Sequence, residues 1–552
     1  MTPQAARVRR IIASLLAGGV KHLVISPGSR STPLVQAAAE RPEWTLHSVL
    51  DERSASFFAL GLQRSGKGLA ATLCTSGTAL AHALPAAIEA VESGQALVVV
   101  GADRPAAVRG WGAPQAIDQI GLLQPYAPTW EIDDTPEGEE RLQQIPNHLR
   151  GLQRNGGAVA LNVPLSLPLA LAPGPLPALP QANEPPEIAE LPRFSQPLDG
   201  ERTVLVAGAL PVDTQLASWL QRLQSAGRVV VLAESVSNLK TINGIIHFDA
   251  LLRDPELLAT LRPERIVRLG AYPVSKGLQL LLEDAKQRGI AVDAVHVRRC
   301  DPLQQSRQVI IGQPLVTMDH WQLDCGGTTD YVARWRLADA AAEKARRDQP
   351  SNWWEAIVIQ GLCDTRPAHL LLGNSMPVRD WDSFATPSAT TISCPRGASG
   401  IDGLLAQALG EAVGRQAPMT AYLGDCAFLH DVGSLQLLAT SAHPAIRIVV
   451  SDNNGGAIFS WLPPAQAMSA EVHRQFFTTP HGLDLQAIAR GFGIDAVRVA
   501  DAASLRQALE APLAPGQTQL VIATIDPDVS ATLHRAFWQQ AAAQARSALG
   551  VS

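Results

Sequence analysis

Apolar runs of strand length alternate with amphipathic helical segments along about the first 165 residues of the chain. Helices are predicted over 4–18, 53–65 and 79–92, and strands over 22–26, 45–50, 69–74 and 96–102. Each strand is followed by a polar turn, and the first three lead into a helix. This alternation predicts a mostly parallel sheet covered by helices on both faces.

The same alternation recurs twice further along the chain. Strands of a second unit are predicted over 204–207, 229–232, 266–269 and 292–296. Those of a third unit, which begins near Trp353, are predicted over 370–374, 419–423, 445–450 and 519–525. Residues 164–200 contain ten prolines, which is typical of an extended linker. We therefore predict an α/β protein with three parallel-sheet domains, at 1–170, 201–345 and 350–552, and a Pro-rich linker at 171–200.

Composition and charge exclude several classes of protein. A chain of 552 residues, with 46% hydrophobic and 17% charged residues, is typical of a globular protein with more than one core. The net charge of −6, with no Lys/Arg block, argues against a nucleic-acid-binding surface. We expect neither a signal peptide nor an integral membrane segment, because no apolar run is suitable for either. The six cysteines are scattered without a Cys-x-x-Cys pair, which argues against disulfides or zinc and favours a cytoplasmic location.

Two polar side chains stand just past apolar strands of the third unit. Asp425 follows the run 419–423, and Asn453 follows the run 445–450, 28 residues after Asp425. Because parallel strands end at the same edge of a sheet, both side chains could hold one cation there. A carboxylate, an amide oxygen and a backbone carbonyl suit Mg2+ bridging to a diphosphate. On these residues alone an alternative stays open, in which Asp425 caps a helix and Asn453–Gly456 form a turn.

Further motifs accompany this pair, and together they carry a resemblance to a known family. They are Ile25–Leu34 (ISPGSRSTPL), Asp51–Ser54 (DERS), Thr75–Thr78 (TSGT), Ala102–Pro105 (ADRP), Gly373–Ser375 (GNS), Arg396–Gly403 (RGASGIDG) and Asn453–Gly456 (NNGG). The three units resemble thiamine-diphosphate enzymes. The motifs, in this order, resemble the 2-succinyl-5-enolpyruvyl-6-hydroxy-3-cyclohexene-1-carboxylate synthases of menaquinone and phylloquinone biosynthesis. The resemblance spans residues 7 to about 530 and is least clear in the middle domain.

The resemblance implies a transferase that uses thiamine diphosphate with Mg2+ or Mn2+. In that family 2-oxoglutarate is decarboxylated, and the resulting succinic-semialdehyde carbanion adds to isochorismate in a 1,4-fashion. The first domain would bind the pyrimidine half of the cofactor and the last domain its diphosphate. Active sites of this kind lie between the first domain of one subunit and the third domain of another, so a homodimer or a dimer of dimers is expected.

The resemblance also implies the cofactor site. Glu52, which opens a helix, would hydrogen-bond the aminopyrimidine ring nitrogen and promote its imino tautomer. On sequence alone, Glu52 could equally be an acidic residue in a first helical turn. Mg2+ would be held by Asp425, Asn453 and the carbonyl of Gly455, with Cys426 where many relatives have glycine. The other expected cofactor contacts are Thr75, Gln115, Ser375, Ile401, Gly424, Cys426 and Ala427.

The two implied substrates bring four carboxylates, so several basic residues are expected around them. The residues at the family's substrate positions are Ser29, Arg30, Arg104, Gln115, Lys276, Asn374, Arg379 and Arg396. Helix capping is the alternative for Ser29, and a solvated surface charge is the alternative for Lys276.

Two other classes of enzyme fit less well. Another thiamine-diphosphate enzyme, such as a simple 2-oxoacid decarboxylase or an acetohydroxyacid synthase, would need fewer anion-binding arginines. A dinucleotide-binding oxidoreductase would show Gly-x-Gly-x-x-Gly after a strand, and the sequence has none.

Overall fold

The computed structural model describes residues 2–66, 68–182, 202–227, 229–240, 244–296, 300–311, 329–462, 465 and 467–551. Within these residues the chain forms three α/β domains, each built on a sheet whose strands are all parallel. The predicted fold class is therefore confirmed. The domain boundaries stay a prediction, because the predicted linker at 171–200 lies largely outside the described residues. None of the described helices is both long and apolar enough to cross a membrane.

The first domain contains a six-stranded sheet of order β2-β1-β3-β4-β6-β5. Its strands are β1 (Val20–Ile25), β2 (Thr45–Ser48), β3 (Leu69–Cys74), β4 (Ala96–Asp103), β5 (Thr129–Glu131) and β6 (Gly157–Pro164). Its helices are α1 (Pro3–Ala17), α2 (Thr32–Ala39), α3 (Glu52–Arg64), α4 (Leu84–Ser93) and α5 (Pro136–Asn155), with 3-10 turns at Thr78–Ala83 and Ala106–Val108. Every residue of β3 and β4 is buried, as expected for central strands covered on both faces.

One predicted helix of this domain is divided in two. The periodicity predicts a single helix over 79–92, whereas the structure has a 3-10 helix that ends at Ala83 and then α4. Pro85 lies in the first turn of α4. Since proline has no N–H and fixes its φ angle, it is favoured at the start of a new helix and disfavoured inside one.

The middle domain contains a five-stranded sheet of order β11-β10-β9-β7-β8. Its strands are β7 (Thr203–Ala207), β8 (Val230–Ala233), β9 (Arg265–Leu269), β10 (Ala291–His296) and β11 (Ser306–Ile311). Its helices are α6 (Thr214–Ser225), α7 (Phe248–Leu252), α8 (Pro255–Thr260), α9 (Lys276–Arg288) and α10 (Thr329–Arg347), with a 3-10 turn at Ser235–Ser237. Residues 171–182, before this domain, form no helix or strand.

The third domain repeats the strand order of the first, as β13-β12-β14-β15-β17-β16. Its strands are β12 (His369–Leu372), β13 (Thr391–Ser393), β14 (Met419–Gly424), β15 (Ile446–Asp452), β16 (Asp495–Val499) and β17 (Thr518–Thr524). Its α-helices are α11 (Glu355–Thr365), α12 (Met376–Phe384), α13 (Leu404–Arg415), α14 (Asp425–His430), α15 (Ser434–Thr440), α16 (Ala470–His473), α17 (Leu485–Gly491), α18 (Ala502–Glu510) and α19 (Pro527–Leu549). A 3-10 helix (Ala457–Trp461) and a π-helical turn (Arg474–Thr478) complete it.

Helices α3 and α13 join the first and third domains at very close range. A Cβ atom on Gly61 would lie 2.3 Å from the carbonyl oxygen of Gln407, and one on Gly410 would lie 2.2 Å from that of Phe58. Only glycine permits this approach of two backbones. The contact fixes α3, which begins at Glu52, against the third domain.

Replacing Gly410 with alanine is expected to destabilise the protein by at least about 1–3 kcal/mol, because the added methyl group must push α3 and α13 apart. Thermal or urea unfolding would measure this change. Gly151→Ala in α5 is the matched control, since nothing lies within 4 Å of its Cβ position. There the same substitution should stabilise slightly, since alanine is the better helix former. Equal effects of the two substitutions would contradict the close-packing argument.

Candidate active site

Asp425 and Asn453 lie at neighbouring strand ends of the third sheet. Strands β14 and β15 are paired in parallel, with Gly424 opposite Ser451, so the residues that follow them meet at the carboxyl edge. Asp425 is the first residue of α14 and is only 2% exposed. The juxtaposition that the strand pattern predicts is thus present in the structure.

The Asp425 carboxylate ties the two strand ends together. Its Oδ2 accepts hydrogen bonds from the backbone N–H groups of Asn453 (3.0 Å) and Gly455 (2.9 Å), and its Oδ1 accepts one from that of Cys426 (2.6 Å). Burial raises the pKa of Asp425, and the N–H groups of Gly455 and Cys426 oppose that rise. Burial, with the neighbouring Asp425 charge, raises the pKa of the Cys426 thiol to about 12, so this thiol stays protonated at neutral pH.

This edge has the donor set that Mg2+ requires. The Oδ1 atom of Asn453 is buried and has no hydrogen-bond partner among the described residues. Carboxylate oxygens of Asp425 and Asp452 lie within 4.8 Å of each other, and the His481 ring lies beside them. An unpaired amide oxygen beside buried carboxylates is the chemistry expected for a hard divalent cation. The residues therefore fit Mg2+, with the Gly455 carbonyl as a predicted further ligand.

Asp452 and His481 are the residues of this edge that the sequence did not single out. The Nε2 atom of His481 lies 3.3 Å from Asp425 Oδ2, while its Nδ1 accepts a hydrogen bond from the N–H of Leu483 (3.0 Å). That acceptor role places the ring proton on Nε2, where it points at the carboxylate. His481 belongs to a loop with no periodic pattern, so only the fold brings it here.

A second group of predicted residues lies at the carboxyl edge of the first sheet. Arg30 is buried; its backbone N–H donates to Thr75 Oγ1 (3.3 Å), and its guanidinium donates to the carbonyl of Leu165 (2.8 Å). Burial, followed by the charge of Arg104, lowers the pKa of Arg30. The Arg104 Nε is buried without a hydrogen-bond partner among the described residues.

Other predicted residues of this edge are exposed. Ser29 and Gln115 are both exposed in the chain, and Gln115 has a left-handed φ of 56°. A Cβ on Gly77 would lie 3.3 Å from the Cβ of Gln115, so the two loops pass close to each other.

A buried amide network that the sequence did not reveal fixes these loops. Gln119 accepts a hydrogen bond from the N–H of Gly77 (2.7 Å) and donates to Asn162 Oδ1 (2.8 Å). Asn162 in turn donates to Asp103 Oδ2 (2.9 Å), the residue before Arg104. The network therefore positions both the Thr75–Thr78 loop and Arg104.

A third group contains Asn374, Ser375, Arg379 and Arg396. Asn374 is 3% exposed; its amide donates to the carbonyls of Pro395 (2.9 Å) and Gly400 (2.7 Å) and accepts from Arg396 Nη1 (2.7 Å). Burial, followed by the charge of Arg396, lowers the pKa of Arg379. Arg379 donates to the carbonyl of Ser375 at 2.5 Å.

Ser375 has a strained backbone, with φ 74° and ψ −126°. A non-glycine residue rarely adopts this conformation, and such strain concentrates at functional sites. Ser375 directly precedes α12, so its backbone conformation sets where that helix begins and therefore where Arg379 lies.

Lys276 is the predicted substrate residue of the middle domain. It is exposed at the start of α9, and its Nζ is 3.8 Å from Glu283. The turn before it is held by Glu234, whose Oε1 accepts from the N–H groups of Val274 (2.6 Å) and Ser275 (2.7 Å). Burial raises the pKa of Glu234 to about 8. The predicted substrate contact of Lys276 remains a prediction.

Glu52 is half-buried at the start of α3, where the Asp51 side chain caps the helix through the N–H of Ser54 (2.8 Å). Ser54 Oγ lies 2.9 Å from Ser434 Oγ, so this helix end touches the third domain of the same chain.

Two predicted cofactor contacts are apolar. Ile401 and Ala427 belong to the core cluster between the two domains, Ile401 as a partly buried member.

The described cysteines are free thiols. They are Cys74, Cys300, Cys363, Cys394 and Cys426, and Cys325 lies outside the described residues. Burial, with the charge of Glu52, raises the pKa of Cys74 to about 12. Its thiol therefore stays protonated at neutral pH.

Comparison with known proteins agrees with this geometry. Residues 6–122 match the family described as thiamine pyrophosphate enzyme, N-terminal TPP binding domain, and residues 384–523 match the corresponding C-terminal TPP binding domain. The chain is therefore a thiamine-diphosphate-dependent enzyme, and its cofactor is thiamine diphosphate with a divalent metal such as Mg2+.

Curated relatives define the family more closely. The chain is 34% identical to the 2-succinyl-5-enolpyruvyl-6-hydroxy-3-cyclohexene-1-carboxylate synthase of Geobacillus kaustophilus, over 96% of this chain and 97% of the relative. It is 34% identical to that of Chloroflexus aurantiacus (96% and 95%) and 32% identical to that of Myxococcus xanthus (97% and 97%). The chain belongs to this synthase family, as its motifs predict.

Proposed function

We propose that the protein decarboxylates 2-oxoglutarate and adds the resulting four-carbon unit to isochorismate, which gives 2-succinyl-5-enolpyruvyl-6-hydroxy-3-cyclohexene-1-carboxylate and CO2. The observation that carries the proposal is the set of four arginines at the sheet edges. Arg30 and Arg104 follow β1 and β4 of the first sheet. Arg379 and Arg396 are held at the third sheet by hydrogen bonds to Ser375 and Asn374. Two substrates with four carboxylates in total need such a set of guanidinium groups. When bound, thiamine diphosphate supplies the nucleophilic carbon and stabilises the electron pair that stays behind when CO2 leaves.

The residues of the chain have distinct roles in this proposal. Glu52 holds a proton at the pyrimidine ring, and Asp425, Asn453 and the Gly455 carbonyl hold Mg2+ against the diphosphate. The remaining cofactor contacts are Thr75, Gln115, Ser375, Ile401, Gly424, Cys426 and Ala427. Ser29, Arg30, Arg104, Lys276, Arg379 and Arg396 receive the substrate carboxylates, with Asn374 and Gln115 beside them. Guanidinium groups are suited to this because they stay charged even when water is excluded.

We further propose that the working unit is a homodimer or a dimer of dimers in the cytoplasm. The exposure of Ser29 and Gln115 in the isolated chain supports this, because another subunit could cover them. Light scattering at several protein concentrations would test the assembly.

Purified protein incubated with thiamine diphosphate, Mg2+, 2-oxoglutarate and isochorismate is expected to consume isochorismate and release CO2 in equal amounts. Product mass and CO2 release would be followed together. Release of CO2 without loss of isochorismate would instead indicate a simple 2-oxoacid decarboxylase. Turnover of pyruvate in preference to 2-oxoglutarate would favour an enzyme of the acetohydroxyacid-synthase type.

Asp425→Asn is expected to weaken Mg2+ binding at least about tenfold, because the amide keeps the shape of the side chain but loses its charge. Calorimetric titration of Mg2+ into protein with thiamine diphosphate would measure it. Asp501→Asn is the control, since Asp501 caps α18 outside the site and asparagine caps a helix equally well. Unchanged Mg2+ affinity in Asp425→Asn would remove Asp425 from the metal site.

A further inference from the structure

The segment that carries Arg396 is held by a buried glutamate of the first domain. Glu89 lies on α4 and is 3% exposed. Its Oε1 accepts a hydrogen bond from the N–H of Gly397 (2.9 Å), and its Oε2 accepts one from the N–H of Ala398 (2.7 Å). A single carboxylate thus accepts hydrogen bonds from the two backbone N–H groups that directly follow Arg396. Both bonds are charge-assisted, which makes them about twice as strong as bonds between neutral groups.

The contact is close as well as polar. A Cβ atom on Gly397 would lie 2.6 Å from the backbone oxygen of Glu89 and 2.7 Å from the backbone nitrogen of Ser93. No other residue could bring the segment this near to α4 without moving it. The glycine at 397 and the glutamate at 89 therefore form one matched contact between the first and third domains.

The side chain of Arg396 is fixed from the opposite direction. Its Nη1 donates to Asn374 Oδ1 (2.7 Å), and the same amide donates to the carbonyls of Pro395 and Gly400 on either side of the segment. Burial raises the pKa of Glu89, while the charge of Arg64, the N–H groups of Gly397 and Ala398 and the charge of Arg396 oppose that rise. Backbone and side chain of Arg396 thus have separate anchors.

We propose that Glu89 is a positioning residue of the synthase, which aims Arg396 at a substrate carboxylate by holding Gly397 and Ala398. The proposal rests on the role proposed above for Arg396. In this role Glu89 would itself contact neither substrate nor cofactor. Its effect passes through the backbone, so it should alter the binding of one substrate more than the rate of the chemical step.

Hydrogen exchange tests the contact without reference to activity. In Glu89→Gln one carboxylate oxygen becomes an NH2 group, which faces a backbone N–H and cannot accept from it. The peptide that contains residues 396–400 should then exchange faster than in the wild type, while the peptide over Asp425–His430 should not change. Unchanged exchange at 396–400 would overturn the proposal.

Steady-state kinetics tests the positioning role. Glu89→Gln and Arg396→Gln are expected to raise the KM for the same substrate, with roughly a tenfold rise for Glu89→Gln, since a buried donor is left unpaired. The KM for the other substrate should stay within about twofold, and the double variant should resemble Arg396→Gln alone because the two residues act as one unit. Glu140→Gln, at an exposed position of α5, is the control for the same chemical change.

A second variant approaches the contact from its other side. Gly397→Ala forces the segment away from α4 while it leaves the Glu89 carboxylate in place, and it should raise the KM for the same substrate. Faster exchange with both KM values unchanged in Glu89→Gln would make the contact purely structural and overturn the proposal. If Arg396→Gln leaves both KM values unchanged, the proposed role of Arg396 is wrong, and the positioning role of Glu89 falls with it.

Discussion

Replacing Glu52 with glutamine is expected to lower kcat by about 10²- to 10⁴-fold, the range typical of a lost acid–base group. Glutamine keeps the size of the side chain and can still form a hydrogen bond, but it cannot exchange a proton with the pyrimidine ring. Glu52 is half-buried at the start of α3, whose end against the third domain is fixed by the Ser54–Ser434 hydrogen bond. Turnover of isochorismate with 2-oxoglutarate would measure the loss.

The neighbouring Asp51 offers a matched control for this substitution. Asp51 is exposed and caps α3 through the N–H of Ser54. Asparagine caps helices about as well as aspartate, so Asp51→Asn should keep nearly normal turnover. Circular dichroism and thiamine-diphosphate binding should be normal in both variants. Turnover near the wild-type level in Glu52→Gln would remove its role as the activating acid.

The fold and the metal edge could be predicted because both follow from local patterns. Apolar runs of strand length place β14 and β15, and consecutive parallel strands connected by helices bring their ends together. Asp425 and Asn453 therefore had to be close once the strands were recognised. The confirmed family adds further residue positions but no contacts between them.

Contacts between distant segments could not be predicted in this way. Glu89 reaches Gly397 from 308 positions away, and Gln119 reaches Gly77 from a loop with no periodicity. A glutamate on a helix usually indicates a solvated face, so nothing local distinguishes Glu89 from an ordinary surface residue. Lys276 lies at an exposed helix end beside Glu283, and its substrate contact, which the family resemblance implies, stays a prediction.

A buried ion pair in the third domain underlies the prediction with the largest effect on stability. His534 of α19 is 1% exposed; its Nε2 lies 3.0 Å from Asp380 Oδ1, and its Nδ1 lies 2.8 Å from the carbonyl of Ser530. Both ring nitrogens face acceptors, which is the arrangement of a protonated imidazolium. Burial opposes that charge, but the carboxylate of Asp380, with Glu355, outweighs it and raises the pKa of His534. The ring is surrounded by the aromatic side chains of Trp354, Phe384, Trp461 and Trp538.

Asp380→Asn is expected to destabilise the protein by about 3–5 kcal/mol, because it leaves the imidazolium without its counter-charge in a dry site. Urea unfolding at pH 6 would measure this loss. Glu137→Gln breaks the exposed pair between Glu137 and Arg141 and is the control. It should cost less than about 1 kcal/mol, since exposed pairs contribute little.

The pH dependence of this loss follows from the sign of the pKa shift. Because the folded state raises the pKa of His534, its protonation favours folding; this stabilisation is complete below the unfolded pKa of about 6.5 and is lost as pH rises through the raised value. The wild type should therefore lose stability over that range, as His534 loses its proton and its attraction to Asp380. In Asp380→Asn that attraction is already absent, so the stability of this variant should change less with pH. The difference between the two proteins should narrow as pH rises. A difference that stays constant from pH 6 to pH 9 would mean that His534 is a neutral ring in the folded protein throughout that range.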